Sequence, residues 1–326
     1  MSPDLPPALR LAADRLLEGV ARKGLAERAA KISSGYRGGE TSRVVVTDEA
    51  DAVAYVLSRL PATYAAGAFV LAEAQRMAPD FAPKRLLDAG AGPGGASWAA
   101  LETWSGIEAA TLLDSSRPLL DMAAKLAAEG GQALQNANFL RGDLTAPATD
   151  WPQADLVTAS YALAEIAAAQ QARTVQALWA ATDGMLALIE PGTPDGYRRI
   201  LTARETLLAA GAEILAPCPH ALACPLVAPD WCHFVQRLPR SRDHRLAKGA
   251  DLPFEDEKFS YLVAVRPGIV AQPRTARILA PPRVAKPAIT FKLCTPAGTA
   301  ELADVPRRDK AAYAWARRLD WGDALP

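Results

Sequence analysis

The sequence predicts a doubly wound α/β domain over residues 83–216, preceded by a helical region over 1–82 and followed by a cysteine-containing, β-rich region over 217–326. Three observations predict it. Apolar residues keep helical spacing over the first 80 positions, short apolar runs alternate with helical stretches after Pro83, and prolines crowd positions 217 to 296. With 326 residues, 50% hydrophobic and 22% charged, the chain can bury a large core, which excludes a disordered or fibrous protein.

The elements follow in order. Leu9, Ala13, Leu16, Leu17, Val20 and Leu25 recur between charges, so residues 9–32 read as one or two amphipathic helices. Residues 33–39 break that pattern and place Tyr36 and Arg37 in a glycine-flanked loop. Thr47 before Asp48-Glu49-Ala50 reads as a helix N-cap; that helix stops near Pro61, and residues 62–77 read as another. Strands are then expected at 85–89, 109–113, 137–140, 154–158 and 184–189, with helices at 94–103, 116–128, 162–180 and 198–210, the grammar of a parallel sheet with crossovers. Beyond residue 216 helical periodicity disappears. Short strands at 259–265, 276–280 and 288–294 and a helix from about 308 to 319 are expected there.

Thirty-six basic residues balance thirty-six acidic ones, which excludes a uniformly basic nucleic-acid coat. By segment the balance is uneven: 12 basic to 10 acidic over 1–85, 4 to 13 over 86–197, 3 to 2 over 198–217 and 17 to 11 over 218–326. An acidic middle suits a small-molecule domain, and the basic later flank can face a polyanion. No stretch has the length of a signal sequence or a membrane span, so a soluble cytoplasmic protein is expected.

Leu86-Leu87-Asp88-Ala89-Gly90-Ala91-Gly92-Pro93-Gly94-Gly95 sets a glycine-rich turn after an apolar strand and before a helix, where the backbone can approach a ligand. Gly90, Gly92 and Gly95 match the dinucleotide fingerprint, whereas Asp88 with Gly90, Gly92 and Gly94 matches the D-x-G-x-G-x-G loop of S-adenosylmethionine-dependent methyltransferases. Asp114 ends the second strand, where a carboxylate can accept ribose hydroxyls from either ligand. Asp143, after the third strand, resembles the acid that meets the adenine amino group in class I methyltransferases, and a nicotinamide enzyme gives no reason for it. A class I S-adenosylmethionine-dependent methyltransferase (Rossmann-like) fold is therefore expected, with Asp88, Gly90, Gly92, Gly94, Asp114 and Asp143 as cofactor-binding residues. Tyr161 and Glu165 are candidates to line the pocket. No catalytic residue is assigned, because methyl transfer needs mainly alignment and the Asn/Asp-Pro-Pro-aromatic motif of base-amino methyltransferases is absent.

All four cysteines follow residue 217: Cys218, Cys224 and Cys232 in the pattern C-x5-C-x7-C, and Cys294 after 61 intervening residues. Four soft thiolates suit a tetrahedral zinc or an iron–sulfur cluster, either of which would pin a loop-rich segment. Zinc sites favour tighter knuckles, so the loose spacing and the Cys-Pro pairs favour a cubane cluster. Trp231 and Phe234 are expected to shield it. Arg237, Arg240, Arg242, Arg245 and Lys248 fall in twelve residues just beyond Cys232 and form a candidate phosphate-binding stretch, with Tyr36 and Arg37 as candidate RNA contacts.

Ser34-Gly35-Tyr36-Arg37-Gly38-Gly39, Tyr55-x-x-Ser58-Arg59-Leu60-Pro61-Ala62-Thr63-Tyr64, the glycine loop and the four-cysteine pattern together resemble the Rsm-twenty-two family of methyltransferase-like proteins, over about residues 9–320. The resemblance implies a factor in assembly of the small ribosomal subunit that binds S-adenosylmethionine and precursor small-subunit rRNA. It also implies a 4Fe-4S cluster held by Cys218, Cys224, Cys232 and Cys294. Gly90, Gly92, Gly94, Asp114 and Asp143 would face the S-adenosylmethionine pocket. The missing targeting extension points to a bacterial member, expected to be a monomer off the ribosome.

Overall fold

The computed structural model describes residues 4–20, 22–146 and 151–325. Five helices open the chain: α1 (Pro7–Leu16), α2 (Arg22–Arg37), α3 (Ser42–Val45), α4 (Glu49–Ser58) and α5 (Leu60–Met77). Two local expectations change here. The cap of α4 is Asp48, whose carboxylate accepts the Asp51 N–H, while Thr47 donates to the side chain of Asp51 instead. Helix α2 runs through Gly35 to Arg37 where a loop was expected. A Cβ on Gly35 would lie 2.3 Å from Val45 Cγ1, so this glycine serves the close crossing of α3 over α2, and the turn comes only at Gly39, with φ +82°.

The sheet domain contains β1 (Arg85–Ala89), α6 (Gly95–Thr103), β2 (Ala109–Asp114), α7 (Arg117–Ala127), α8 (Gln132–Gln135), β3 (Asn138–Arg141), β4 (Ala154–Ser160), α9 (Ala168–Ala180), β5 (Thr182–Pro191), α10 (Pro194–Ala209) and β6 (Glu213–Ala216). The chain continues with β7 (Phe234–Pro239), α11 (Arg242–Lys248) and β8 (Phe254–Val265). The strand order is β3-β2-β1-β4-β5-β8-β6, with β7 also on β8; β1 to β5 are mutually parallel, and β8 runs antiparallel to β5, β6 and β7. The order reverses between β1 and β4, which opens a crevice at the carboxyl ends of those strands. This is the class I methyltransferase, Rossmann-like arrangement, with an antiparallel strand inserted beside the fifth. That strand, β8, comes from beyond residue 217, and its residues 259–265 are all buried.

One face of the sheet packs under α5, α6 and α7 through residues such as Tyr64, Leu71, Trp98 and Met122; the other packs under α9 and α10 through Val175, Leu178, Ile200 and Leu207. The single helix expected at 162–180 is divided. A 3-10 turn at Leu163–Glu165 precedes α9, because the buried Glu190 carboxylate accepts the Leu163 N–H (3.0 Å) and holds the turn against β5.

A second, antiparallel sheet follows: β9 (Ala276–Ile278), β10 (Arg283–Val284), β11 (Ala288–Cys294) and β12 (Ala300–Pro306), then α12 (Lys310–Ala316) and β13 (Ala324–Leu325). Its order is β10-β11-β9-β13, with β12 on β11, around a small core of Ile278, Ile289, Phe291, Leu293 and Ala316. Among the described residues no helix is long and apolar enough to cross a membrane.

Candidate functional site

A cavity of about 710 Å³ opens where the strand order reverses. Its floor is the turn after β1. Gly90 has φ +74°, and a Cβ there would sit 2.7 Å from Ala162 Cβ. Gly92, at φ +54°, has nothing within 4 Å of the position its Cβ would take, so the backbone is bare toward the cavity. Asp114, at the end of β2, accepts Gly92 N–H on Oδ2 (2.8 Å) and Ser116 N–H on Oδ1 (2.8 Å). It braces the loop and lines the cavity at once; burial raises its pKa against those two backbone bonds. Asp143 accepts the Thr145 hydroxyl (2.6 Å) and N–H (2.8 Å) on Oδ1, which leaves Oδ2 turned to Arg43 Nη1 at 3.6 Å. The hydroxyl of Ser160, at the end of β4, is buried in the wall without a partner, as expected of a site that awaits a polar ligand.

The N-terminal helices roof this cavity. Tyr36 Oη is 2.8 Å from Ser42 Oγ; Ser42 in turn donates its N–H (2.8 Å) and its hydroxyl to the two oxygens of Glu165. Tyr161 closes the far side at φ +59°, the only non-glycine residue with positive φ among those described. Such a conformation costs about 1–3 kcal/mol and is retained where the surroundings impose it. Here the Tyr161 hydroxyl donates to Glu257 Oε1 (2.7 Å) on β8, beside the half-buried Arg59. Neither Tyr161 nor Glu165 is a free base.

Of the six residues expected to meet the cofactor, Gly90, Gly92, Asp114 and Asp143 line the cavity and Asp88 and Gly94 do not. Asp88 lies wholly buried behind the loop. Its Oδ2 accepts Ser97 N–H (3.0 Å) and hydroxyl (2.7 Å), and its Oδ1 accepts Thr158 Oγ1–H (2.9 Å), so it ties β1 to the start of α6 and to β4. Burial pushes its carboxyl up to about 6. Gly94 turns the chain into α6 at φ +89°, with Leu112 where a Cβ would go.

A second cavity, about 30 Å³, is lined by all four cysteines. Cys218 follows β6, Cys224 lies in the loop beyond it, Cys232 precedes β7 and Cys294 ends β11. Tyr197 Oη lies 3.1 Å from Cys224 Sγ, and His220 Nε2 lies 3.4 Å from Cys294 Sγ. Burial pushes the Cys218 and Cys232 thiols up and Cys294 up to about 12. Two arginines complete the wall: Arg204 donates to His220 O (2.9 Å) and Leu222 O (2.7 Å), and Arg277 donates to Pro217 O (3.3 Å), Gly322 O (2.7 Å) and Glu73 Oε1 (2.5 Å). Among the described residues no three His, Cys, Asp or Glu side chains converge on a point that would hold one metal ion. Trp231 does not shield this cavity; it stacks on His233 and donates to Gly192 O (3.1 Å), while Phe234 is buried with Phe69 and Phe259. Tyr197, Arg204 and Arg277 carry no pattern in the sequence that would have singled them out.

The basic stretch is ordered as β7 and α11, and most of its cations are spoken for. Arg237 makes a bidentate pair with Asp256 (2.7 and 2.8 Å) over the Phe254 ring, and Arg240 and Lys248 both bond Glu255 (3.1 and 2.5 Å). Burial raises the Glu255 carboxyl, but the bonds and charges of His244 and Lys248 outweigh it and hold the group well below the usual range. Arg245 is half-buried, and Arg242 is exposed and forms no ion pair among the described residues. Tyr36 and Arg37 line the first cavity; Tyr36 is half-buried and packs edge-on against Tyr55.

The sequence is similar to that of a known protein. The chain is 30% identical over 288 residues to the human ribosome assembly protein METTL17, mitochondrial, an alignment that covers 83% of this chain. It spans 62% of the length of that relative. Solved structures that overlap it include magnesium protoporphyrin IX methyltransferase from Synechocystis with bound SAM (16% identity, TM-score 0.41, 68% of this chain and 85% of that one). They also include precorrin-6y C5,15-methyltransferase from Geobacter metallireducens (15%, 0.41, 61% and 88%). The family model described as mitochondrial small ribosomal subunit Rsm22 matches residues 49–326, which take in the glycine loop, the floor of the first cavity and all four cysteines but not the roof residues 33–43, and the chain belongs to that family.

Proposed function

We propose that the chain is a methyltransferase-like assembly factor of the small ribosomal subunit that binds S-adenosylmethionine in the first cavity and precursor small-subunit rRNA on its surface. The observation that carries the cofactor reading is the bare backbone at Gly92 between Asp114 and the unpartnered Ser160 hydroxyl, at the crevice where this sheet accepts nucleosides. Asp114 keeps further lone pairs for ribose hydroxyls, and Asp143 keeps Oδ2 for an adenine amino group once Arg43 yields. The ribosomal part rests on family membership and on the human relative's name. Isothermal titration with S-adenosylmethionine tests the first part, with saturable one-to-one binding expected and lost in Asp114→Ala. Crosslinking in cells followed by RNA sequencing tests the second. Enrichment of small-subunit rRNA supports it, and recovery of no RNA above background overturns it.

All four thiols line one cavity, and their loose C-x5-C-x7-C spacing with its Cys-Pro pairs favours a 4Fe-4S cluster over a single zinc. Cys218, Cys224, Cys232 and Cys294 would hold it. When bound, it would supply four iron–thiolate bonds that crosslink the 217–232 segment to β11. Arg204 and Arg277 set positive charge beside the thiolates, and Tyr197 orients Cys224.

A non-catalytic role is favoured by the engaged state of Glu165 and Tyr161, which are held in hydrogen bonds to Ser42 and Glu257. Methyl transfer without their help suits an acceptor that is already nucleophilic. Incubation with labelled S-adenosylmethionine and precursor rRNA distinguishes the two, label in RNA marking an enzyme.

A further inference from the structure

The second sheet leaves five cations at one end without partners. Arg283 lies on β10, opposite Thr290 of β11. Lys286 lies in the turn between those strands, where Ala285 N–H donates to Ala288 O (3.0 Å). Arg307, Arg308 and Lys310 lie where β12 gives way to α12. Pro306 pairs with Ala288, and Arg307 N–H donates to Pro287 O (2.8 Å), so the hairpin turn and the β12–α12 connection meet. All five side chains are exposed, and among the described residues none forms an ion pair.

The acids nearby are turned to other tasks. Asp304 accepts the Thr290 hydroxyl (2.6 Å), and Asp309 caps α12 by accepting Ala312 N–H (3.1 Å). This differs from residues 237–248, where Asp256 and Glu255 absorb three of the five cations. A hydrogen-bonded turn that holds five like charges together gains nothing from their mutual repulsion, and a polyanion would relieve it. Arginines mixed with lysines on an exposed sheet end suit phosphate contact rather than base reading.

We propose that this end of the second sheet is the surface on which the chain docks the phosphate backbone of small-subunit rRNA, an inference that rests on the rRNA-binding reading above. The test compares the full chain with R283Q/K286Q/R307Q/R308Q/K310Q and with the smaller R307Q/R308Q, binding in vitro transcribed small-subunit rRNA over a salt series. Each phosphate contact contributes about 0.7–0.9 to the log–log salt slope, so the slope should fall by about 4 in the first variant and about 2 in the second, with affinity at low salt reduced about tenfold or more in the first. R237Q, which removes a cation already bonded to Asp256, should change affinity less than about twofold. If the natural chain binds the rRNA and both variants match it in affinity and slope, the docking surface is wrong and the rRNA reading stands. If R237Q weakens binding as much as R307Q/R308Q, the surface lies elsewhere. If the natural chain does not bind rRNA, the broader reading falls with the proposal; charge-dependent capture by phosphatidylglycerol vesicles without rRNA binding would assign these cations to a membrane surface.

Discussion

The two cavities are built by opposite means. The first is walled by backbone and by carboxylates that strands β1, β2 and β4 already hold in place: Asp114 is bonded to Gly92 and Ser116, and Asp88 clamps the loop from behind. The second is walled by side chains from a loop and three strand ends that are far apart in sequence, with thiols set among Tyr197, His220, Arg204 and Arg277. A nucleoside can therefore enter a site that the sheet has completed, whereas the cluster proposed for the thiols would itself complete theirs. Folding energy and binding energy are separable in one and shared in the other.

The largest effect should come from breaking the shared case. Cys232→Ser is expected to reduce the iron and sulfide content of anaerobically purified protein to background and to remove its brown absorbance, with a lowered melting temperature and early proteolysis within 217–232. A colourless natural protein that holds one zinc would reverse the choice of metal. Gly92→Arg should act on the separable case. The side chain fills the bare cradle, and the φ of +54° costs about 1–2 kcal/mol, so S-adenosylmethionine binding should fall at least about 100-fold while iron content stays unchanged. Loss of iron in Gly92→Arg would show that the cavities are not independent.

Asp88 gives a pH-dependent test of the clamp. Its folded pKa of about 6 lies above the ordinary 3.8, so the native state prefers the protonated form. The stability this contributes is present below about pH 4 and is lost as pH rises through 6, by up to about 3 kcal/mol for a shift of this size. Asp88→Asn can keep the bonds to Ser97 and Thr158 without the charge. Between pH 4 and 7 the natural protein should lose stability relative to Asp88→Asn, as read by denaturant midpoints at each pH; parallel profiles would mean that the carboxylate is not buried as described.

How much of this was legible in the sequence follows the same division. Strands β1 and β2 could be read because their apolar runs end in glycine or aspartate, and the ligand contacts proposed at Gly92 and Asp114 come with that local grammar. Asp88 shares the motif but faces inward, since alternation along β1 and the bonds to Ser97 and Thr158 decide its direction. Strand β7 stayed hidden because only Phe234 and Leu238 of its six residues are deeply buried. The basic stretch was misleading for a related reason: Glu255 and Asp256 arrive on β8, through register pairs such as Arg237↔Asp256 that no local pattern announces. The free cations of the second sheet come together through pairing of β10, β11 and β12, which is equally non-local.

The smallest expected effect concerns the roof of the first cavity. Arg43 and Asp143 are both substantially exposed and stand 3.6 Å apart, a pair of the kind that contributes about 0–1 kcal/mol. If Asp143 meets the cofactor's adenine, Arg43 must release it on binding, and the lost pair opposes the ligand. Arg43→Gln should then bind S-adenosylmethionine slightly tighter, by no more than about fivefold, and the difference should shrink as salt is raised. Weaker binding in Arg43→Gln would place the arginine on the ligand itself, and the first cavity would then depend on its roof as the second would on the proposed cluster.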